Sequence, residues 1–523
     1  MQIPSIPFKI LALAPLLGPD CPIWDKAPLR VTLEDLNRII ADLEPACAVT
    51  VAPELHPDET IELKFTQLKD FHPDNLVRNN PALRNLLEAK EWVENAGRNR
   101  FSAEKINAQL ENWPNLSHIR VDAAPRKPPS PSRDPLDKIL DIVALPDEPP
   151  NLPTGARGAA RQIAAIIQQI LGHIFLNETF RSLEAAWRGL NLLLQNVNVR
   201  ESDIRIEVIP VSDDTINDTL QALTAELVDE LPSLILVDVA FDSSPKSLER
   251  IKNVGQFSET LLVPAITWIQ PAFFHIDSWQ AIKKLAFLPH YLEETAFAKW
   301  QSLKKTPSAR WLAVTCNCFL ARYAYGKDNL PHRIPFDEQK PLWISPVWAL
   351  GSLIGRSAAE TGWPTHFTDW QTIRLEDLPL NTEDPKRPLP TETDFSRDRI
   401  DQFIRSGIIP LAAVKGKDIA FVPDETTAGG ISLGYQLLVS RVTQLVLWCR
   451  DHFKKGLEGA ELEAQLRQAF KLFWENSGYS GPESLDIVIA KPDSNGRVPV
   501  RIALQPSRRI LPSRDKVELD FLW

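Results

Sequence analysis

Residues 123–135 read Ala-Ala-Pro-Arg-Lys-Pro-Pro-Ser-Pro-Ser-Arg-Asp-Pro. No regular helix or central strand can run through such a segment. Each proline fixes its own φ, lacks a backbone N–H and restricts the residue before it. Without glycine the run favours an extended polyproline form, a semi-rigid spacer reaching about 40 Å, with an ordinary disordered loop as the alternative. The 523-residue chain is therefore divided into residues 1–121, a linker at 122–135, and residues 136–523. That length is enough for more than one domain and a large core.

The first region opens with Ile6-Pro7-Phe8-Lys9-Ile10-Leu11-Ala12-Leu13, an apolar run of strand length. Leu33, Leu36, Ile39, Ile40 and Leu43 follow at helical spacing, and Thr32 with Asp35 is spaced as a capping box, so a helix is expected over 32–43. Strands are expected over 47–52 and 60–66. In Asp70-Phe71-His72-Pro73-Asp74 the proline is expected to stop the strand and Asp74 to cap the helix after it, over 81–96.

In the second region Asn177 suits a helix N-cap, with Glu178 in the first turn. Phe180, Leu183, Trp187 and Leu190 then form one apolar stripe. Leu234–Ala240 is an apolar run suited to a sheet covered on both faces. Other strands are expected over 203–210, 261–268, 311–320, 407–414 and 418–422. Other helices are expected over 103–112, 158–175, 215–229, 346–361, 397–406, 433–454 and 459–475. Residues 485–523 are strand-rich: segments at 485–490 and 498–504 flank the turn signal Asp493-Ser-Asn-Gly496, and 516–522 alternates at period two. The fold class is mixed α/β.

Composition narrows the function. A net charge of −10 with no long basic run excludes a nucleic-acid surface. No apolar run reaches the roughly 18–20 residues that span a bilayer. The Ile10–Leu17 stretch lacks a small-residue cleavage site and reads as a strand, not a signal peptide. Five scattered cysteines indicate a reducing compartment, hence the cytoplasm. No catalytic, cofactor or metal constellation forms. Cys316 and Cys318 are expected on one strand face as small buried hydrophobes, His290 and Glu293 lack a second pair, and Lys415-Gly416-Lys417-Asp418 lacks Walker spacing. Most of the 15 tryptophans are expected in the core.

The string Phe180-x-x-Leu183-Glu184-x-x-Trp187-Arg188-Gly189-Leu190, after Ile170-Leu171-Gly172-His173, resembles the signature helix of the large sheath subunit of type VI secretion systems. Tyr325-Gly326 resembles its aromatic-Gly turn, Trp343–Trp363 its next helix, Thr391-Glu392 its threonine-glutamate element, and Ser440-Arg441 its late helix. The first region, through its opening strand and Phe71 and Pro73, resembles the small sheath subunit. The chain thus looks like both subunits fused, with linkage raising their effective concentration to about millimolar.

The resemblance implies a contractile tail-sheath-like fold and a non-enzymatic structural protomer that surrounds an inner tube and drives its ejection. The implied partners are further copies of the chain in rings or a helix, the inner tube protein, baseplate components and an AAA+ ATPase, with no nucleic acid and no membrane insertion. Leu136, Asp137, Ile139 and Leu140 resemble the helix that this unfoldase recognises, the alternative being a helix docked on the body. Terminal strands of neighbouring sheath protomers share sheets, so Ile487, Ile489, Val498, Val500, Ile502, Val517 and Leu519 are candidate inter-protomer strand residues. Only Met1–Ser5 precede Ile6, where the small subunit carries an N-terminal arm. A sheath-like accessory that caps, initiates or decorates the apparatus is the alternative.

Overall fold

A computed structural model describes residues 6–56, 58–113, 116, 118–121, 154–197, 203–227, 230–382, 388–454, 456–457, 459–492 and 497–523. The linker, the Leu136–Leu140 segment and the Asp493–Gly496 turn lie outside these residues. The chain forms two compact units, and their division does not follow the linker. One comprises Met1–Pro45, Ser182–Tyr323 and Pro341–Trp523; the other comprises Ala46–Arg181 and Ala324–Lys340.

The larger unit is built on a seven-stranded sheet. Its spatial order is Ile408–Pro410, Leu312–Cys316, Ala265–Ile269, Leu234–Phe241, Phe8–Ala14, Ile204–Pro210 and Leu29–Arg30. All pairings are parallel except the last. The Phe8–Ala14 strand, buried along its whole length, pairs with Ile204–Pro210 on one side and with Leu234–Val237 on the other. Its run, apolar at every position but Lys9, is what a strand covered on both faces requires. The helix Pro245–Leu261 covers one face: its Ile251 and Val254 join a core with Leu11, Leu13, Ile235 and Val237. The helix Pro346–Thr361 covers the other, bringing Gly351 against Leu236 and Gly355 against Ile10.

A second core in this unit joins the helices Leu433–His452 and Gly459–Asn476 to an antiparallel sheet of Ser484–Ile489, Pro499–Gln505 and Val517–Leu522. In the smaller unit the antiparallel pair Ala46–Thr50 and Thr60–Lys64 accompanies the helices Pro73–Asn79, Pro81–Arg98, Ala103–Leu110 and Thr154–Leu176.

Several expectations shift. The first helix starts at Leu36, because Thr32 and Asp35 bond to each other within a turn: Asp35 N–H donates to Thr32 Oγ1 at 3.3 Å and the hydroxyl returns to the carboxylate at 3.0 Å. Leu33, placed on the apolar face by spacing, is 45% exposed. Pro73 does not stop a strand, which already ends at Lys64, but opens the helix Pro73–Asn79. His72 caps that helix through Nδ1, which accepts from Asp74 N–H at 3.1 Å. The expected strand over 311–320 breaks at Asn317, whose φ of 77° interrupts the pleat between Cys316 and Cys318. The expected strand over 261–268 is Ala265–Ile269; Leu261 ends the preceding helix.

Candidate functional site

Side-chain order along the signature helix, Glu178–Asn196, has a local cause at each position. Asn177 caps it, its Oδ1 accepting from Phe180 N–H at 2.9 Å. Leu183, Trp187 and Leu190 are buried. The Trp187 indole N–H donates to the Leu16 carbonyl at 3.1 Å, just past the end of the first strand. A Cβ on Gly189 would lie 2.3 Å from the Trp348 ring, so only glycine lets that indole seat. Trp348 Nε1 in turn donates to Asp238 Oδ2 on the Leu234–Phe241 strand at 2.6 Å. Burial pushes the Asp238 carboxyl above its ordinary range, against the pull of that hydrogen bond.

Glu184 is fully buried and takes two guanidiniums. Arg188, one turn on, reaches it at 2.8 Å; Arg322 reaches it through Nε at 2.7 Å and Nη2 at 3.0 Å. Burial alone would raise this carboxyl, but Arg322 and Arg188 reverse that and hold it below the usual carboxylate range. Sequence reasoning singled out Glu184 and Arg188 as motif residues, but it did not join either to Arg322. The three residues fix the chain just after Phe319–Leu320 onto the signature helix.

The remaining motif residues of the smaller unit converge on an aromatic cluster. Phe65 and Phe71 stack with centroids 4.1 Å apart, Phe180 lies 5.6 Å from Phe71, and Phe175 lies 5.1 Å from Phe180. Tyr325 sits edge-on to Phe175 at 5.6 Å and to His72 at 5.1 Å. Asp70, buried beside them, accepts from Thr66 N–H at 2.8 Å, Gln67 N–H at 3.1 Å and Asn79 Nδ2 at 3.1 Å. Asp74 serves a different purpose from capping: its carboxylate accepts from the backbone N–H groups of His332 at 3.0 Å and Arg333 at 2.8 Å. Gly326 exchanges two backbone hydrogen bonds with Asn329, closing the turn that follows Tyr325.

Arg441, on the helix Leu433–His452, is buried in the larger unit, where its Nη2 donates to the Ile6 carbonyl at 2.8 Å and its Nη1 to the Pro7 carbonyl at 3.2 Å. Phe8 and Phe473 flank the guanidinium at 5.8 and 5.5 Å. Burial lowers it to about 10. Gln444 extends the clamp, donating to Pro232 O at 2.7 Å and accepting from Ser233 Oγ at 3.0 Å. Ser440 is buried, and its hydroxyl finds no partner among the described residues.

The candidate inter-protomer residues divide first by burial. Ile487, Val498, Val500, Ile502 and Val517 point into the core against the two late helices, while Ile489 and Leu519 are half-buried. Val500 and Ile502 belong to the central strand, whose two edges are both paired within the chain. Among the described residues of this sheet an open edge therefore remains on Ser484–Ile489 and Val517–Leu522. Val488 and Leu522, which spacing did not single out, are 52% and 48% exposed.

All five cysteines are buried and unpaired, and burial pushes the Cys47 and Cys449 thiols up to about 12, which makes them inert. His290 and Glu293 form an exposed pair at 3.2 Å. Among the described residues no group of three or more His, Cys, Asp or Glu is placed to hold a metal ion, and no helix is long and apolar enough to cross a membrane.

Comparison with known proteins follows the same two regions. Residues 158–231 and 230–428 match the family model described as EvpB/VC_A0108, tail sheath N-terminal domain (VipB). Residues 2–116 match the model described as type VI secretion system, VipA, VC_A0107 or Hcp2. The chain is 25% identical over 293 residues to the type VI secretion system sheath protein TssC1 of Pseudomonas aeruginosa, a match covering 49% of this chain and 59% of that relative. Two solved structures of the anti-feeding prophage overlap more loosely. A chain of the baseplate has 11% identity and a TM-score of 0.35 over 65% of this chain and 76% of its own. A chain of the contracted helical sheath has 11% identity and a TM-score of 0.32 over 64% and 77%. Likenesses this loose do not bear on the assignment. The tail-sheath model accounts for about half of the sequence and the small-subunit model for most of the remainder before the linker, so the chain belongs to the type VI secretion sheath family, with regions like its small and large subunits in one polypeptide.

Proposed function

We propose that this chain is a structural protomer of a contractile sheath that surrounds an inner tube and drives its ejection. The observation that carries the reading is the place of the first strand. Phe8–Ala14, from the region that matches the small-subunit model, lies between Ile204–Pro210 and Leu234–Phe241, from the region that matches the tail-sheath model. A chain in which the two regions complete one sheet supplies both in fixed one-to-one ratio.

In this reading the partners are further copies of the chain, the tube protein and baseplate components, in the cytoplasm. Leu136–Leu140 is where an AAA+ ATPase would engage. Buried, paired charges such as Glu184 with its two arginines serve structure, not turnover. Neighbouring protomers join through the outer strands Ser484–Ile489 and Val517–Leu522, whose open edges suit strand addition. Electron microscopy of the purified chain, alone and with its tube protein, tests the proposal. Rings or helical tubes are expected. A chain that stays monomeric at every concentration with the tube protein present overturns it.

A further inference from the structure

The Phe8–Ala14 strand is apolar except for Lys9, and it is buried on both faces of its sheet. An ammonium there must be paired, because an isolated buried charge is strongly unfavourable. The Lys9 side chain is 4% exposed, and its Nζ lies 2.9 Å from Glu230 Oε1 and 3.6 Å from Glu207 Oε1. It also donates to the Glu230 carbonyl at 3.3 Å. The two carboxylates come from opposite sides. Glu207 is on the neighbouring strand Ile204–Pro210, and Glu230 precedes the other neighbour, Leu234–Phe241. Arg205 reaches Glu230 at 3.4 Å, and Arg30 also acts on that carboxylate.

By buried area alone, an isoleucine in place of Lys9 would hold the strand as well. Only one end of the closer pair is buried, since the Glu230 side chain is 67% exposed and that of Glu207 12%. Such a pair adds little net stability over a well-packed apolar residue, but the buried lysine penalises every neighbour that lacks the matching charge. It also fixes register. A one-residue slip would send Lys9 to the opposite face, away from both glutamates.

We propose that Lys9, Glu207 and Glu230 form a key that decides which first strand this seam accepts. The seam admits an apolar strand with a lysine at this position. It refuses strands without one, including the first strand of a free small sheath subunit of different sequence. That last exclusion rests on the sheath reading, whereas the key does not.

The test uses the full-length chain and a biotinylated peptide of residues 1–17. The wild-type chain, its seam filled by its own strand, captures none of it. Lys9→Glu sets like charges against both glutamates, loosens the chain's own strand, and is expected to capture the peptide at least tenfold more than wild type. The triple variant Lys9→Glu, Glu207→Lys, Glu230→Gln gives position 9 an opposite charge on the neighbouring strand, sets no cation against Arg205 at position 230, and is expected to recover soluble yield and refuse the peptide. The proposal is overturned if Lys9→Glu is as closed and as stable as wild type. It is equally overturned if the triple variant captures the peptide as readily as Lys9→Glu, or stays insoluble where Lys9→Glu is insoluble. None of these readings needs assembly, so a chain that never forms rings defeats the functional proposal and leaves the key standing.

Discussion

Gly189 has no room for a side chain, because the Trp348 ring occupies the space a Cβ would need. Gly189→Ala should force a shift of helix or indole and cost about 1–3 kcal/mol, read as a lower urea midpoint. Glu184 carries the other strict requirement. Replacing it with Gln strands two guanidiniums at a buried site and should cost about 3–5 kcal/mol in the same measurement. Its pH signature has a definite sign. With the folded carboxyl held below its unfolded value, the stabilisation is full above the ordinary carboxylate range and drains away as pH falls through the folded value. The wild-type midpoint should therefore drop on acidification more steeply than that of Glu184→Gln. Equal slopes would mean that the charge of Glu184 contributes nothing.

Among the elements, the signature helix was the most legible in sequence. Its cap, its start and its stripe follow from Asn177 and from 3.6-residue spacing. The helix Pro245–Leu261 was missed although Ser244 and Pro245 mark its start, Ser244 Oγ accepting from Ser247 N–H at 3.3 Å. Its face is so broadly buried that the apolar residues show no narrow stripe. The pairing of Arg322 was invisible because its partner Glu184 lies 138 residues earlier, and no local pattern encodes such a pair. The C-terminal strands were read correctly as strands, but which strand keeps a free edge depends on spatial order, and sequence order does not give that. Lysine at Val488 or Leu522, both exposed on outer strands, should change stability by less than about 0.5 kcal/mol. Assembly should nonetheless weaken, since charge on an edge opposes strand addition. Pelleting of sheath-like particles is the readout, and undiminished pelleting would remove these edges from the lattice.

At the scale of the molecule, the compact units cut across the two family-like regions. A protease site inserted between Pro129 and Pro135 and then cleaved should leave residues 1–121 and 136–523 bound through size-exclusion chromatography. Two well-folded, separate fragments would contradict that. The position of the first strand also sets a timetable. Ile10 faces Leu234 across one seam and Ile206 across the other, so its neighbours are made some two hundred residues after it. At about 5–20 residues per second the ribosome needs on the order of ten to forty seconds to deliver them. Through that interval Phe-Lys-Ile-Leu-Ala-Leu-Ala is a naked β-forming segment. Its one lysine, internal in the finished sheet, is then the only gatekeeper against aggregation of the nascent chain. Lys9→Met, which also leaves the seam without its charge, should accordingly lower the soluble fraction most at fast expression, and slower translation should recover only the part lost during synthesis.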